Sequence, residues 1–253
     1  MNEPHPTYPN PTIAEVICDI HFRLAEGETW QADFLGKFVR AIQTEYPEVA
    51  PISELDIQFE VVPTGLRQKF VPSAPRMRFT HETRLLLLDF AENNMRITIL
   101  PKYPTWTSVS QHVLWAWACL KKVVHPANLT RLGLRYINQI DRETPEQPAG
   151  AWLQAGDYIP PKVLESAPGF VSRTQVQLDA QNRVLTTVAD VTLQTPEHST
   201  AIIFDIDRIT EQLMPVTDKR LTDELWRLHD DVWNIFFTAQ TEKLRLLLER
   251  KDR

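Results

Sequence analysis

Residues 13–24 carry the pattern that most restricts how this chain can fold, because their side chains alternate between two kinds. Successive side chains of a β-strand point to opposite faces, so every second residue shares a face. One row is apolar and consists of Ala14, Val16, Cys18, Ile20, Phe22 and Leu24. The other row combines two isoleucines with Glu15, Asp19, His21 and Arg23. The alternation predicts a strand with one face in the core and one polar face that is open to solvent, a partner or a ligand.

The composition limits what the chain can bind. Its 253 residues are 43% hydrophobic and 24% charged, which is typical of a globular protein with one large core or two small ones. The net charge of -6 argues against a protein that mainly neutralises a nucleic-acid backbone, because such binding needs clustered Lys and Arg. Nucleic acid is therefore not an expected partner.

Cysteine usage and the lengths of apolar runs predict a cytoplasmic protein. Cys18 and Cys119 each occupy a position where an apolar residue is expected, as core side chains in a reducing compartment do. The first twelve residues contain four prolines and no apolar segment of a secretory signal. The longest apolar run, residues 113–120, is too short to cross a bilayer, so no membrane association is expected.

The spacing of apolar residues predicts an α+β fold. The first half is predicted to contain a helix at 32–46, strands at 55–62, 76–81, 84–91 and 94–100, and a helix at 108–124. The second half is predicted to contain strands at 129–140, 170–179, 183–195 and 200–209 and a long C-terminal helix at 222–250. The short links between strands favour antiparallel pairing, because parallel crossovers need longer connections.

The two halves nearly repeat one element order, in which a strand and a helix precede several strands and a second helix. We divide the chain into a Pro-rich leader at 1–12, a first α+β half at 13–126 and a second half at 127–253, and we expect one compact unit. The order resembles TATA-binding-protein-like and helix-grip architectures, in which helices back a curved antiparallel sheet. This resemblance concerns the fold and carries no function. Segment 143–169 is predicted to be either a binding loop or a short helix.

Several catalytic motifs are absent from the sequence. The seven glycines lack the spacing of dinucleotide-binding loops, nucleophile elbows and Walker phosphate-binding loops. No two histidines lie four positions apart and no C-x-x-C occurs, so the common zinc-binding motifs are missing as well. We therefore expect no cofactor and no metal site.

Arginine and acidic residues recur in the polar rows of the predicted strands. A guanidinium group binds carboxylate or phosphate through two parallel hydrogen bonds, so an Arg-rich sheet face can hold an anionic ligand. The alternative is a solvated face on which arginines and acids pair across strands. The candidate ligand-binding residues are Asp19, His21, Arg23, Arg131, Arg135, Arg173, Asp205 and Asp207.

Two further interpretations concern single groups. Asp205 and Asp207 lie two positions apart and are predicted to point the same way, with Asp190 on a neighbouring strand. Such carboxylates either hold Mg²⁺ or pair with arginines across the sheet. His229 lies between two apolar stripes of the last predicted helix. It is either a general base or a partly buried histidine with a hydrogen-bond partner.

Three stretches, NPTIAEVICDIHF, RLGLRYINQID and LWRLHDDVWNIFFTAQTEKL, together resemble a sporadically distributed, uncharacterised bacterial family of roughly this size. The resemblance covers nearly the whole chain in order. It implies an accessory protein with a role in phage defence or in a toxin–antitoxin-like system, and it implies no particular activity. Arg135, Asn138 and His229 fall within the matching stretches and receive no catalytic role from the resemblance.

The sequence leaves two main functions open, and a third, nucleic-acid binding on a concave sheet, is opposed by the acidic net charge. The first is a non-enzymatic binding protein whose mixed-charge sheet face engages a protein partner, a second copy of the chain in a homodimer, or a small anionic ligand. The alternative is a Mg²⁺-dependent phosphohydrolase or nucleotide-binding enzyme of the triphosphate-tunnel type. The opening strand reads E-x-x-x-D-x-H-x-R and lacks the E-x-E-x-K of those enzymes. We therefore expect the binding function.

Overall fold

The computed structural model describes residues 5–53, 55–62, 65–72, 76–142, 144, 146–165, 169–193 and 200–250. The strands in these ranges are β1 (Ile13–Leu24), β2 (Glu48–Ile52), β3 (Leu55–Val62), β4 (Gly65–Pro72), β5 (Arg76–Thr80), β6 (Leu86–Ala91), β7 (Asn94–Ile99), β8 (Pro126–Asp141), β9 (Val171–Gln177), β10 (Asn182–Thr192), β11 (Thr200–Thr210) and β12 (Met214–Pro215). The α-helices are α1 (Phe34–Ile42), α2 (Trp106–Lys121), α3 (Pro161–Leu164), α4 (Asp218–Thr238) and α5 (Glu242–Glu249), with a 3₁₀-helix at Ala149–Ala151.

Ten of the described strands form one antiparallel sheet, which confirms the predicted α+β class. The order across the sheet is β2-β5-β6-β7-β1-β8-β11-β10-β9, and β12 pairs with β8. Strands β3 and β4 pair with each other as a separate hairpin. The path ends at β2 on one side and at β9 on the other, so the sheet is open in the part of the chain described.

The two halves of the chain repeat one arrangement in space. Strands β1 and β8, which begin the halves, lie side by side at the centre of the sheet. Strands β7, β6 and β5 follow outward on one side, and β11, β10 and β9 follow outward on the other. A long helix, α2 or α4, comes after the strands of each half. The halves therefore share a single sheet that is joined along β1 and β8.

The apolar row of β1 is the core face, as its alternation predicts. Val16, Cys18 and Ile20 are fully buried and Phe22 is 2% exposed. Ile20 lies opposite Met95 of β7, which is also fully buried. Burial of these side chains is the main stabilising contribution from the central strand, because the hydrophobic effect scales with the apolar area removed from water.

Helices α2 and α4 contribute the buried side chains that pack against the core face of the sheet. Trp117 of α2 packs edge-to-face against Phe22 of β1, with ring centroids 5.7 Å apart. Helix α4 contacts β8, β11 and α2. Its buried apolar residues form the stripe that the helical spacing predicts, which is the expected arrangement for a helix that backs a sheet. They are Leu221, Leu225, Leu228, Val232 and Ile235.

The C-terminal helical segment is divided, although its apolar spacing predicts one helix over 222–250. Helix α4 ends before Thr241, whose hydroxyl accepts a hydrogen bond from the backbone N–H of Leu244 and so begins α5. The backbone N–H of Thr241 also donates to the carbonyl of Trp152 at 3.1 Å. This bond to a distant part of the chain interrupts the helix, and local periodicity carries no sign of it.

Strands β2 and β4 are absent from the sequence prediction. Pro51 lies in β2, the outermost strand of the sheet. Proline is tolerated there because an edge strand has one side without ladder hydrogen bonds. In segment 143–169 the described residues form the 3₁₀-helix and the single-turn α3, in line with the short-helix alternative.

Asp190 lies on the core face of β10, so the expectation that it joins Asp205 and Asp207 is wrong. Its side chain forms an ion pair with Arg142, and the two side chains are only 6% and 1% exposed. The alternation of β10 puts Val188 on the same face as Asp190. Sequence alternation alone did not reveal a buried ion pair at this position.

Residues 5–12, the described part of the Pro-rich leader, run along the C-terminal helices. The backbone N–H of Asn10 donates to the carbonyl of Leu248 at 3.0 Å, and the Asn10 side chain donates to the carbonyl of Leu247 at 3.2 Å. The hydroxyl of Tyr8 donates to Gln240 Oε1 at 3.3 Å.

None of the described helices combines the length and apolar content needed to cross a membrane.

Alanine substitutions on the two faces of β1 test the assignment of the core. Ile20 is fully buried, whereas Ile17 on the opposite face is only partly buried. We expect Ile20→Ala to lower the free energy of unfolding by about 2–5 kcal/mol, because it leaves a cavity in the core. Ile17→Ala should cost less than half as much, because it uncovers less apolar surface. Urea unfolding followed by tryptophan fluorescence measures both variants, and equal losses would contradict the assigned faces.

Candidate functional site on the charged sheet face

The face of the sheet opposite the core carries a continuous set of charged side chains, which we call the charged face. Antiparallel pairing sets Arg78, Asp89, Arg96 and Asp19 side by side on β5, β6, β7 and β1. Basic and acidic residues thus alternate across four strands, as favourable cross-strand pairing requires. The charged face consists of Arg76, Arg78, Asp89, Asn94, Arg96, Glu15, Asp19, His21, Arg131, Arg135, Asp205 and Asp207.

Asp19 lies at the centre of the charged face and is bonded from both neighbouring strands. Arg131 Nη1 donates to Asp19 Oδ2 at 2.6 Å, and His21 Nε2 lies 3.0 Å from the same oxygen. Asn94 Nδ2 donates to Asp19 Oδ1 at 2.7 Å. Burial alone would raise the pKa of Asp19, but the hydrogen bond with His21 and the nearby arginine charges outweigh it and hold the pKa well below its usual value. Asp19 is therefore an ionised, nearly buried carboxylate.

Two further carboxylates hold arginines through paired hydrogen bonds. Arg135 donates from Nε and Nη2 to the two oxygens of Asp205, at 2.8 and 2.7 Å. Arg78 donates to both oxygens of Asp89 with the same fork geometry, at 2.7 Å each. The hydrogen bond to Asp205 raises the pKa of Arg135 above its already high value. Bidentate pairs of this kind fix the plane of the guanidinium group as well as its position.

The acids and the arginines of these pairs lie at different depths. The side chains of Asp89, Asp19 and Asp205 are 1%, 12% and 11% exposed, whereas those of Arg78, Arg131 and Arg135 are 32%, 25% and 40% exposed. The carboxylates therefore lie beneath the guanidinium groups. The outer surface of the charged face presents the positive ends of the pairs.

Arg135 keeps hydrogen-bond donors that point away from its carboxylate partner. A guanidinium group has five N–H donors, and a bidentate pair uses two of them. Among the residues described by the structure, Asp205 alone accepts hydrogen bonds from Arg135. The remaining donors of this half-exposed side chain are positioned to bind an anion from solvent.

Asp207 differs electrostatically from the other acids of the charged face. Burial raises the pKa of Asp207 to about 6, although the charges of Arg131 and Arg135 act in the opposite direction. Its Oδ1 lies 3.9 Å from the position that a Cβ atom would take on Gly133. A side-chain carbon on Gly133 would also meet Asp19 and Arg131 at 3.8 Å, an ordinary van der Waals distance, so Gly133 lies between these groups and Asp207 at the centre of the face.

The structure brings some of the predicted site residues together and leaves two of them apart. Asp19, His21 and Arg131 are in mutual contact, and Arg135 binds Asp205 directly. Arg23 is exposed beyond a register shift near the end of β1, and Arg173 is exposed on β9, the outer edge strand. Arg173 lies on the same side of the sheet as Asp205, with Thr187 of β10 between them, so it flanks the charged face at the edge of the sheet.

Six members of the charged face are missing from the predicted site residues. They are Arg76, Arg78, Asp89, Asn94, Arg96 and Glu15. Asp89 stands in the apolar run LLLLDFA, where a single acid gives a weak signal. Asp89 shares its face of β6 with Leu87 and Ala91, because every second residue of a strand lies on the same side. The pairing of β6 with β7 then brings Asp89 beside Arg96, which is information about register that the sequence does not contain.

The predicted alternatives for Asp205 and Asp207 are a Mg²⁺ site or pairing with arginines. Asp205 pairs with Arg135, as the second alternative requires. In the described part of the chain, three potential metal ligands come within 4.8 Å of one another only at His5, His229 and Asp230. The acids of the charged face do not converge in this way.

A concave region, which we call the aromatic cavity, lies between the leader, β8 and α4. It has a volume of about 80 Å³ and is lined mainly by aromatic and apolar side chains. His229 of α4 stacks on Trp106 of α2 with ring centroids 4.4 Å apart and planes 4° apart. The hydroxyls of Tyr103 and Tyr136 lie 3.0 Å apart on its wall. Waters or a small ligand fit a space of this size.

His229 is more buried than the sequence predicts. Its side chain is 8% exposed, and its Nδ1 has no hydrogen-bond partner among the described residues. Burial, with the nearby His5 as a second cause, lowers the pKa of His229 to about 3. The expected hydrogen-bond partner of a structural histidine is therefore missing at Nδ1.

Comparisons with known proteins add little to the site. No family model matches the chain, and no curated protein matches it. Among solved structures, the S. pombe Pct1 RNA triphosphatase in complex with the Spt5 CTD is 8% identical, over 97% of this chain and 88% of that chain. Its TM-score is 0.13, which is too low to carry an argument about fold or function.

Substitution of Asp207 by asparagine tests the raised pKa. The folded protein holds this proton more tightly than the unfolded chain, so stability falls as pH rises from 3.8, the ordinary pKa of an aspartate, towards about 6. We expect Asp207→Asn to remove up to about one proton from the slope of the unfolding free energy against pH in this window. Urea titrations across the window measure the slope. Asp157→Asn, at an exposed site, is the matched control, and an identical slope in wild type and Asp207→Asn would refute the assignment.

Proposed function

We propose that the protein is a binding protein for a small anionic ligand, which it holds on the charged face. The single observation that carries this proposal is the bidentate pair of Arg135 with Asp205, in which the acid lies beneath and the guanidinium group lies above. An arginine whose plane is already fixed loses little conformational freedom when a ligand binds. The outward donors suit a phosphate or carboxylate group.

The depth at which the charges of the charged face lie supports an anionic ligand. Arg76, Arg78, Arg96, Arg131 and Arg135 contribute five positive charges, and Asp89, Asp19, Asp205 and Glu15 contribute up to four negative charges. Asp207 adds a further negative charge only above its raised pKa of about 6. Because the acids are deeper, an approaching anion meets the guanidinium groups first.

A phosphohydrolase is the second candidate function, and Asp207 is the observation that favours it. A carboxyl group with a pKa near 6 is suited to general acid–base catalysis close to neutral pH. It lies beside Arg131 and Arg135, which could hold the substrate. The triphosphate-tunnel form of this idea requires a closed barrel, whereas the sheet described here is open. Binding is therefore the function we propose first.

The proposal includes a cytoplasmic location and membership of the sporadically distributed bacterial family. Both cysteines are buried and free, in keeping with a reducing compartment. The accessory or defence role that the family resemblance implies is compatible with a protein that senses an anionic metabolite. An acidic segment of a protein partner is the competing occupant of the same donors.

Calorimetric titration with inorganic triphosphate and with citrate tests the proposed function. We expect Arg135→Gln to weaken binding of the better probe about tenfold or more, because a hydrogen bond to a charged group contributes about 1.5–3 kcal/mol. Arg173→Gln is the matched control, since it removes an exposed arginine on the outer edge strand and should change the affinity by less than about twofold.

Three outcomes would contradict the proposed function. Absence of binding for both probes would remove the small-anion ligand and favour an acidic protein partner. Equal weakening in the two arginine variants would mean that diffuse surface charge holds the probe. Hydrolysis of triphosphate with added Mg²⁺, lost in Asp207→Asn, would replace the binding function by the phosphohydrolase.

A further inference from the structure

We propose that His5, His229 and Asp230 form a binding site for a divalent transition-metal ion of the zinc class. The site lies beside the aromatic cavity, on the helix-covered side of the sheet, and is independent of the proposed function of the charged face. His5 belongs to the leader, and the other two residues are neighbours on α4.

The three potential ligand atoms are already close together. His5 Nε2 lies 2.8 Å from Asp230 Oδ1, and His229 Nδ1 lies 4.0 Å from the same oxygen. All three atoms lie within 4.8 Å of one another. Metal–ligand bonds of about 2.0–2.1 Å in tetrahedral geometry separate neighbouring ligand atoms by roughly 3.4 Å. Small side-chain adjustments therefore suffice to place all three atoms around one ion.

The Nδ1 nitrogen of His229 is the atom whose surroundings indicate a ligand. It is buried and has no hydrogen-bond partner in the described part of the chain. Buried polar atoms are almost always satisfied by protein, ordered water or an ion, and each exception needs an explanation. The stack of His229 on Trp106 fixes the plane of the imidazole ring, so the direction of its lone pair is fixed as well.

His5 is held in a similar way from the opposite side. Its ring stacks on Trp233 of α4 with centroids 4.2 Å apart and planes 8° apart. The hydrogen bond between His5 and Asp230 uses one proton, which a metal ion can replace while it binds both atoms. Two imidazole nitrogens and one carboxylate oxygen form a donor set that suits Zn²⁺ and its first-row neighbours rather than Mg²⁺ or Ca²⁺.

An ion at this position would have two consequences for the molecule. It would link the leader to α4, which supplements the hydrogen bonds between Asn10 and the end of α5. His5 and His229 also line the aromatic cavity, so a coordination position left free by the protein would face that cavity. Asp230 is half-exposed, and this provides a route for the ion from solvent.

Metal titration of the full chain tests the site without any assumption about activity. We expect the protein, freed of metal by a chelator, to bind one Zn²⁺ per chain and to unfold at a higher temperature when Zn²⁺ is added. Co²⁺ should bind at the same site with visible absorption typical of low coordination number. His5→Ala and Asp230→Asn should each weaken binding about tenfold or more, because loss of even an outer partner of a metal ligand costs that much.

His125→Ala is the matched control, because His125 is exposed and lies outside the site, and it should bind Zn²⁺ as wild type does. His229→Gln provides a third ligand variant if another one unfolds. Absence of stoichiometric binding in the wild type would overturn the site. Unchanged affinity in folded His5→Ala and Asp230→Asn would overturn it too, and would leave His5 and Asp230 as a hydrogen-bonded structural pair.

Discussion

Asp19 lies in the middle of the central strand, and its carboxylate is nearly excluded from water while both neighbouring strands bond to it. An isolated buried charge costs several kcal/mol, so the position is tolerable only with those partners in place. A shift of β1 by one residue would turn Asp19 into the core and Ile20 onto the charged face. The same contacts therefore fix the register of the sheet and the placement of Arg131.

The sequence predicts the parts of the fold that depend on local alternation and helical spacing. The two rows of β1 are correct, and so is the apolar stripe of α4, because each follows from the period of one element. The break at Thr241 was not predictable, since it depends on a hydrogen bond to Trp152, far away in the chain. Asp190 lies on the core face although its charge predicts the polar face, because an ion pair with Arg142 compensates its charge there.

The candidate site shows the same limit. Alternation identifies Asp19, Arg135 and Asp205 as polar-face residues, but their partners follow from register between strands that are distant in sequence. Asp89 was missed because it interrupts an apolar run only once. The approach of His5 to Asp230 joins the leader to α4, and no motif spacing spans such a separation. Contacts between residues that are distant in the sequence bring these side chains together, and only the folded structure reveals those contacts.

The central claim is that buried carboxylates position the arginines of the charged face, and the affinity of Asp205→Asn for inorganic triphosphate tests it most directly. This substitution removes a negative charge from beneath Arg135, so simple charge attraction would make an anion bind more tightly. If Asp205 acts by holding the guanidinium plane, the variant binds more weakly despite its more positive face. Weaker binding than wild type is the predicted result, and tighter or equal binding would contradict the account.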